Sequence, residues 1–292
     1  MARKISKKTL YNSLTEGKLK DIMQYVADNK NGLSLQIRDD YLNIYYRGGN
    51  ILRINGVNSF YFDKNYFGKD NPKRIDEMKK LVDIFRNNNH EEFFEKAKNV
   101  MDEWFIKNPK SEREEQHKLI IENNNECAES DFVIIDIEFA ISTESEYKCE
   151  RFVFNKEGQE VRKKPCFDII AIRKKDNKLC VIELKKGIAA LENKSGIEEH
   201  LKDFDASIGK NPQPFIEEIN TLLKQKQKMG LLDEKLEISN QCKKPLFMFA
   251  YSYNSEEELN RYKKIHNEGI CKKIPTIKLP KGEVILLEKN YL

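Results

Sequence analysis

Two carboxylates and one lysine stand within or at the end of two neighbouring apolar segments. Asp168 interrupts the apolar run FDIIAI, and Glu183 and Lys185 end the run LCVIELK. Because side chains in a strand alternate between two faces, Glu183 and Lys185 point to the same side. The polar residues 174–177 between the runs predict a hairpin turn, which pairs Asp168 within a residue or two of Glu183 and Lys185. We therefore expect the three side chains to converge.

Such a set of groups suits the hydrolysis of a phosphodiester, which needs an activated water and stabilised charge on the phosphate. Two carboxylates can hold one or two Mg²⁺ ions and leave positions for water and phosphate oxygens. Lys185 beside them would orient the water or stabilise the developing charge. The alternative is a surface hairpin with an ordinary Glu–Lys pair. Placing Asp168 in an apolar strand is costly unless the acid is paired or binds a cation, and this favours the metal site.

The first part of the chain predicts an α+β region. The apolar period of residues 10–29 is that of a helix, and residues 72–104 predict two more helices. Between them, short alternating segments separated by turn residues predict an antiparallel meander of about four strands, at residues 33–37, 41–46, 51–54 and 60–62. Because Asn108-Pro109 is a break, we expect residues 1–109 to form an accessory domain for recognition or regulation.

Residues 110–292 alternate between helical and strand patterns and are expected to form a second domain. Ser111, followed by Glu114, predicts the start of a helix that runs to about residue 123. Strand patterns cover residues 132–141, 152–154, 167–172, 179–184, 246–251 and 284–287. Helical patterns cover residues 196–208, 214–229 and 255–266. The continuous apolar run at 246–251 indicates a central strand, and the whole order predicts an α/β sheet with helices on its faces.

Composition sets limits on the class of protein. The chain has 292 residues, of which 39% are hydrophobic and 34% charged, and its formal net charge of +4 permits nucleic-acid binding without arguing for it. No apolar run suits a membrane span, and no apolar stretch follows the basic N-terminus, so no membrane or secretory segment is expected. No GxGxxG, P-loop or GxSxG motif occurs. Without a CxxC pair, the cysteines predict reduced, mostly buried thiols in a cytoplasmic protein: Cys127, Cys149, Cys166, Cys180, Cys242 and Cys271.

The sequence PCFD ending at Asp168, followed after a spacer by VIELK with Glu183 and Lys185, resembles the core motif of the PD-(D/E)XK nuclease superfamily. That superfamily includes restriction endonucleases, Holliday-junction resolvases and RecB-type nuclease domains. The resemblance covers about residues 111–251 and extends to the order helix, three strands, helix, strand. It implies a restriction-endonuclease-like core with a mixed central sheet, Mg²⁺ or Mn²⁺ at Asp168 and Glu183, and Lys185 as catalytic lysine. Pro165 departs from the motif, because it stands three residues before the acid.

The resemblance also suggests further metal ligands. Members often place an extra acid on the helix before the first strand, where Glu115 and Glu122 stand in this chain. A solvated helix face is the simpler interpretation of either acid taken alone. In the next strand Asp136 and Glu138 share a face of an apolar segment, and Glu138 is the better candidate ligand of the two.

Substrate contacts are suggested on the helix after the lysine. Many RecB-like members carry a glutamine and a tyrosine four residues apart there, near the DNA backbone. His200 and Phe204 have that spacing but differ in type, and a packed Phe204 beside an exposed His200 is the alternative. With His200 we list Lys186, Lys194 and Lys202 as candidate substrate contacts. They belong to a set of basic residues that would suit a polyanion: Arg162, Lys163, Lys164, Arg173, Lys174, Lys175, Lys186, Lys194 and Lys202.

The meander offers a second candidate surface. Tyr45, Tyr46, Arg47 and Arg53 surround a glycine-rich turn, with Arg38 nearby. Aromatic residues interleaved with arginine can stack bases and contact phosphate. Simple packing within the sheet is the alternative for the tyrosines.

Together these patterns predict a Mg²⁺-dependent nuclease, and the resemblance favours a DNA endonuclease in nucleic-acid processing or defence against foreign DNA. One alternative is an RNA nuclease of the same chemistry. Another is a catalytically silent nuclease fold that binds nucleic acid or protein. The expected partner is nucleic acid, DNA in preference to RNA, and cutting both strands of a duplex would favour a homodimer.

Overall fold

The computed structural model describes residues 3–67, 72–108, 111–125, 129–187, 196–268 and 270–292. The chain divides into two compact units. The meander unit comprises Arg3–Ile121 and Lys224–Glu234, and the mixed-sheet unit comprises Glu122–Leu223 and Lys235–Leu292. The fold is of mixed α/β class, as predicted, with a four-stranded antiparallel sheet and a mixed five-stranded sheet accompanied by helices. Within the described ranges, no helix has the length and apolar character needed to cross a bilayer.

The predicted meander is confirmed. Its four antiparallel strands pair in chain order: β1 (Ser34–Ile37), β2 (Leu42–Tyr46), β3 (Gly49–Gly56) and β4 (Ser59–Tyr61). Arg47 and Gly48 form the two-residue turn between β2 and β3, with φ of 47° and 74°. Such turns match the twist of the strands they join. A side chain at Gly48 would collide with the backbone of Arg113, so glycine is required there.

The meander unit is completed by helices. They are α1 (Lys8–Thr15), α2 (Lys20–Asp28), α3 (Lys64–Phe67), α4 (Pro72–Arg86), α5 (His90–Lys107) and most of α6 (Ser111–Asn124). The prediction of one helix over residues 10–29 was wrong, because the chain turns between α1 and α2. At this turn Gly17 passes so close to the backbone of Ser13 that a β-carbon would lie 2.9 Å from its Cα. The apolar period continues across the break because both helices bury one face.

The mixed-sheet unit holds the predicted central sheet, in the order β11-β10-β9-β8-β5. Its strands are β5 (Phe132–Ala140), β8 (Cys166–Arg173), β9 (Lys178–Lys186), β10 (Leu246–Tyr253) and β11 (Thr276–Pro280), while β6 (Phe152–Phe154) and β7 (Glu160–Arg162) form a separate ribbon. β8 runs antiparallel to β5 and β9, and β10 runs parallel to β9 and β11. The helices are α7 (Ile197–Asp205), α8 (Pro212–Lys228), whose last residues belong to the meander unit, and α9 (Glu256–Glu268).

The observed strands differ from the predicted ones in two places. The last strand lies at β11, not at residues 284–287. The backbone N–H of Leu286 donates to the Asn123 side chain and its carbonyl accepts from Asp131, so these groups are satisfied outside a sheet. In the apolar segment 284–287, Leu286 is the buried residue, and this burial accounts for the strand-like pattern. The second correction is β7, which the sequence pattern did not indicate and which pairs with β6.

Cysteines in the described part of the chain are free thiols. Four of them are buried: Cys149, Cys180, Cys242 and Cys271. Cys166 is exposed at the start of β8, which departs from the expected burial in an apolar strand. Cys127 lies outside the described residues.

Candidate active site

The pairing of β8 with β9 brings Asp168 to Glu183, as the hairpin pattern predicted. Ile169 pairs with Ile182. Asp168 comes just before Ile169 and Glu183 just after Ile182, so the two acids lie at the same end of the antiparallel pair. The backbone N–H of Leu184 donates to Asp168 Oδ2 over 2.8 Å. This hydrogen bond fixes the Asp168 carboxylate beside the residue that follows Glu183.

Glu183 is the buried centre of the cluster. Its side chain is fully shielded from solvent, and that of Lys185 is nearly so. Lys185 Nζ lies 3.5 Å and His200 Nδ1 2.8 Å from Glu183 Oε2. Despite these short distances, neither Glu183 oxygen has a partner with hydrogen-bond geometry among the described residues. Lys185 and His200 therefore lie against the Glu183 carboxylate without forming a hydrogen bond of standard geometry with it.

Burial changes the protonation of the cluster. Burial and, second, the nearby charge of Glu183 raise the pKa of Asp168 to about 7. Burial also raises the pKa of Glu183 to about 7, against the opposing charge of Lys185. Two carboxyls this close titrate as a coupled pair, so at neutral pH the pair retains part of its protons. Burial, followed by the charge of Lys185, lowers the pKa of His200 to about 4, so that its imidazole is neutral at pH 7.

The donor set fits a hard divalent cation. Mg²⁺ takes oxygen ligands and is often held by one or two carboxylates, with water and substrate phosphate completing its shell. Asp168 and Glu183 supply two carboxylates, and the buried Glu183 oxygens without hydrogen bonds are the kind of group a cation would satisfy. No group of three or more His, Cys, Asp or Glu side chains is arranged to hold a metal within the described ranges. Among the described residues, the groups of this site that could hold such a cation are the two carboxylates.

Helix α7 is held in place by ion pairs with the connection between β5 and β8. Arg151 lies 2.6 Å from Glu199 and 2.5 Å from Asp203, and Lys163 lies 2.7 Å from Asp203. Asp203 is almost fully buried, whereas Arg151, Lys163 and Glu199 are partly exposed, so the two ion pairs of Asp203 are the less screened ones. The same helix carries His200, so the ion pairs fix the turn that brings its imidazole to Glu183.

The two candidate substrate contacts of α7 have different roles. His200 faces the carboxylate cluster. Phe204, one turn later, is buried and stacks on Phe247 with ring centroids 4.8 Å apart. The packing interpretation therefore holds for Phe204, and only His200 of the pair reaches the site.

The additional acids are placed differently from one another. Glu138 is exposed on β5, and the register in which Ile137 pairs with Ile169 places it across from Asp168. Its φ of 48° is left-handed, which is uncommon for a residue other than glycine and is concentrated at functional sites. Asp136 is fully buried. Glu115 lies on α6 within the meander unit, outside the unit that carries the cluster.

Much of the predicted basic surface is neutralised within the unit. Lys202 Nζ lies 3.1 Å from Glu199 and 3.7 Å from Glu198 of its own helix, so it does not stand free for a substrate. Lys163, Arg173 and Lys175 also form ion pairs with acids. Lys186 ends β9 and is exposed, whereas Lys194 lies outside the described residues. Because several of the basic residues are paired with acids, they give weaker support for a polyanion-binding surface than their number alone would.

The arginines of the meander serve the fold of their own unit. Arg47 Nη1 and the Tyr46 hydroxyl both bind Asp102, and Arg47 also binds Glu114. Arg53 lies over the rings of Tyr41 and Tyr61, at 4.7 and 5.4 Å from their centroids. These contacts favour the packing interpretation over base stacking.

The β6–β7 ribbon is a feature that the sequence pattern did not single out as functional. All three residues of β6 are exposed, and Phe152 and Phe154 retain 51% and 75% of their accessible surface. The Arg162 guanidinium lies 4.8 Å from the centre of the Phe152 ring. Two exposed phenylalanines beside an arginine make the ribbon a candidate contact surface. The sequence signal was the FVF triplet between polar flanks.

Known proteins give no direct guide to this site. Comparison of the chain with family models, with curated proteins and with solved structures finds no match.

Proposed function

We propose that the protein is a Mg²⁺-dependent nuclease of the PD-(D/E)XK type, with Asp168, Glu183 and Lys185 as its active site. The observation that carries this proposal is the buried Glu183 carboxylate, whose oxygens make no hydrogen bond of standard geometry among the described residues although Lys185, His200 and Asp168 adjoin it. A structural ion pair at that depth is expected to satisfy its oxygens. Within the mixed-sheet unit, the three neighbouring sheet strands β5, β8 and β9, then two helices and strand β10, follow in the order that the resemblance implies, and this supports the proposal.

The chain's own groups divide the chemistry among them. Asp168 and Glu183 would hold the cation, which when bound polarises the phosphate and acidifies a water. The Leu184 N–H holds Asp168 in position. Lys185 is placed to orient the attacking water or to stabilise charge that develops on the phosphate. His200, neutral at pH 7, lies against Glu183 and restricts where its carboxylate can turn.

DNA is the proposed substrate, in nucleic-acid processing or defence against foreign DNA. The exposed β6–β7 ribbon supports a nucleic-acid substrate, because aromatic rings can stack on bases and Arg162 can contact phosphate. RNA cleavage by the same cluster is the first alternative. A silent fold that binds without cutting is the second, and intact Asp168, Glu183 and Lys185 speak against it.

Cleavage of defined polymers tests the proposal. We expect plasmid DNA or single-stranded DNA to be cut with Mg²⁺ or Mn²⁺ and to remain intact with chelator, while RNA in the same assay tests the first alternative. Lys185→Ala should lower the rate on the order of 10²-fold or more, because it removes charge stabilisation at the phosphate. Lys178→Ala, at the other end of β9, is the matched control and should retain the rate. Equal cleavage by both variants would remove Lys185 from the mechanism, and binding without cleavage by the parent would favour the silent fold.

The exposed ribbon gives a separate prediction. Phe154→Ala should weaken binding of single-stranded DNA by about 1 kcal/mol or more, the contribution of one aromatic stacking contact. Phe154→Tyr keeps the ring and should bind like the parent. Fluorescence anisotropy with a labelled oligonucleotide in chelator measures affinity without cleavage. The stacking role is rejected if Phe154→Ala binds as tightly as Phe154→Tyr.

A further inference from the structure

The meander unit contains a cavity that has no part in the proposed cleavage. It has a volume of about 550 Å³ and is lined by residues at and just before the start of α2, in and beside β4, in α4 and in the connection from α4 to the start of α5. A volume of this size is in the range of small-molecule sites, which run from about 300 to 1,000 Å³. All of its lining residues lie in one compact unit.

The wall of the cavity is aromatic. Phe60, Tyr61, Phe62 and Phe85 line it. Phe85 packs edge-on against Phe60 and Phe62, with ring centroids 4.6 and 6.4 Å away. Rings held by other rings in this way offer rigid flat faces, which suit a planar ligand that stacks.

A polar group in the wall lacks a partner. The Nδ1 atom of His90 is buried and makes no hydrogen bond among the described residues. Asn89 caps α5 through the Glu92 N–H, so the backbone that carries His90 is fixed. Burial lowers the pKa of His90, against the opposing charge of Asp21, which makes a neutral imidazole the form present at pH 7. A buried nitrogen of this kind is suited to a hydrogen bond with a ligand inside the cavity.

The charged residues of the lining are both cationic. Lys18 and Arg86 line the cavity and are exposed, and no Asp or Glu lines it within the described part of the chain. Arg86 makes no ion pair or hydrogen bond among the described residues. Lys18 has only a long contact of 3.4 Å to Asn58. Two cations without acidic neighbours in the lining favour an anionic group on the ligand.

We propose that this cavity binds a nucleotide, with the base against the aromatic wall and within reach of His90, and the phosphate at Lys18 and Arg86. A ligand with a base and a phosphate can come from two sources. The nucleotide is either free in solution or is one unit of a nucleic-acid strand, at its end or turned out of the stack. The inference is independent of the carboxylate cluster, since its test measures binding and not cleavage.

Calorimetric titration of the full chain in chelator tests this site. The probes are the four nucleoside monophosphates, the corresponding nucleosides and a short single-stranded oligonucleotide. We expect at least one monophosphate or the oligonucleotide to bind. The double variant Lys18→Glu, Arg86→Glu should bind the phosphate-bearing probes at least tenfold more weakly, while Lys80→Glu, an exposed charge reversal on α4 outside the lining, should leave affinity unchanged.

Two further variants address the interior. His90→Leu should weaken binding several-fold, and Val82→Trp, which fills the cavity from α4, should abolish it. Thermal unfolding followed by circular dichroism establishes which variants are folded. If Val82→Trp does not fold, the double variant Lys18→Glu, Arg86→Glu decides the test. Monophosphate binding assigns a free nucleotide, and binding of the oligonucleotide alone assigns a strand. Absence of binding by every nucleotide probe, or equal affinity in the parent and the charge-reversal variant, overturns the proposal.

Discussion

Glu183→Gln and Asp168→Asn are each expected to abolish cleavage, with a loss on the order of 10³-fold or more. Each substitution keeps the shape of the side chain and removes one of the two carboxylates proposed to hold the cation. Titration calorimetry with Mn²⁺ should show metal binding lost or strongly weakened in both. It should also show proton release from the parent near pH 7, because the raised pKa values of both acids mean that binding displaces protons.

Glu283→Gln provides the matched control for these substitutions. Glu283 is an exposed acid just after β11, and its replacement should change neither metal affinity nor rate. Full cleavage in both Glu183→Gln and Asp168→Asn would show that the cluster is not the active site. Loss of cleavage with unchanged metal binding would instead assign the two acids a role without metal.

The stability of the metal-free protein is expected to fall as pH rises, and Glu183→Gln should remove much of this dependence. Burial raises the pKa of Glu183 from 4.5 to about 7, so between these values the folded state holds more protons than the unfolded state. The free energy of unfolding therefore decreases as pH rises through this window. Above pH 7 the variant should be more stable than the parent, and near pH 4 the two should be alike.

Urea unfolding in chelator at pH 4, 6 and 8 measures this difference. Added Mg²⁺ at pH 8 should stabilise the parent and leave Glu183→Gln unchanged, because only the parent binds the cation in its folded state. If the free energy of unfolding depends on pH in the same way for parent and variant, ionisation of Glu183 does not destabilise the folded protein. That result would undermine the electrostatic basis of the proposed site.

Local patterns accounted for many of the elements of both units. The alternating meander, the paired strands β8 and β9 and the interior strand β10 all have periods or apolar runs that the neighbouring residues determine. The failures have physical causes. The helix break at Gly17 depends on a close approach to Ser13, and the segment around Leu286 is apolar because it is buried, while its backbone bonds to Asn123 and Asp131.

Strand alternation and a short turn predict from local sequence that Asp168, Glu183 and Lys185 share one end of a hairpin, because they leave few other arrangements. Which groups surround them depends on how distant elements pack together. His200 lies beside Glu183 on helix α7, and that helix is anchored by Arg151, which lies about fifty positions earlier in the chain.

The ion pairs and the cavity also depend on contacts between residues that are distant in sequence. Lys163 and Asp203 are forty residues apart in sequence, so no local pattern shows that they neutralise each other. The cavity of the meander unit likewise collects residues from α2, β4, α4 and α5. Periodicity reports which face of an element is buried, whereas burial depth, protonation and ion pairing depend on which elements pack together.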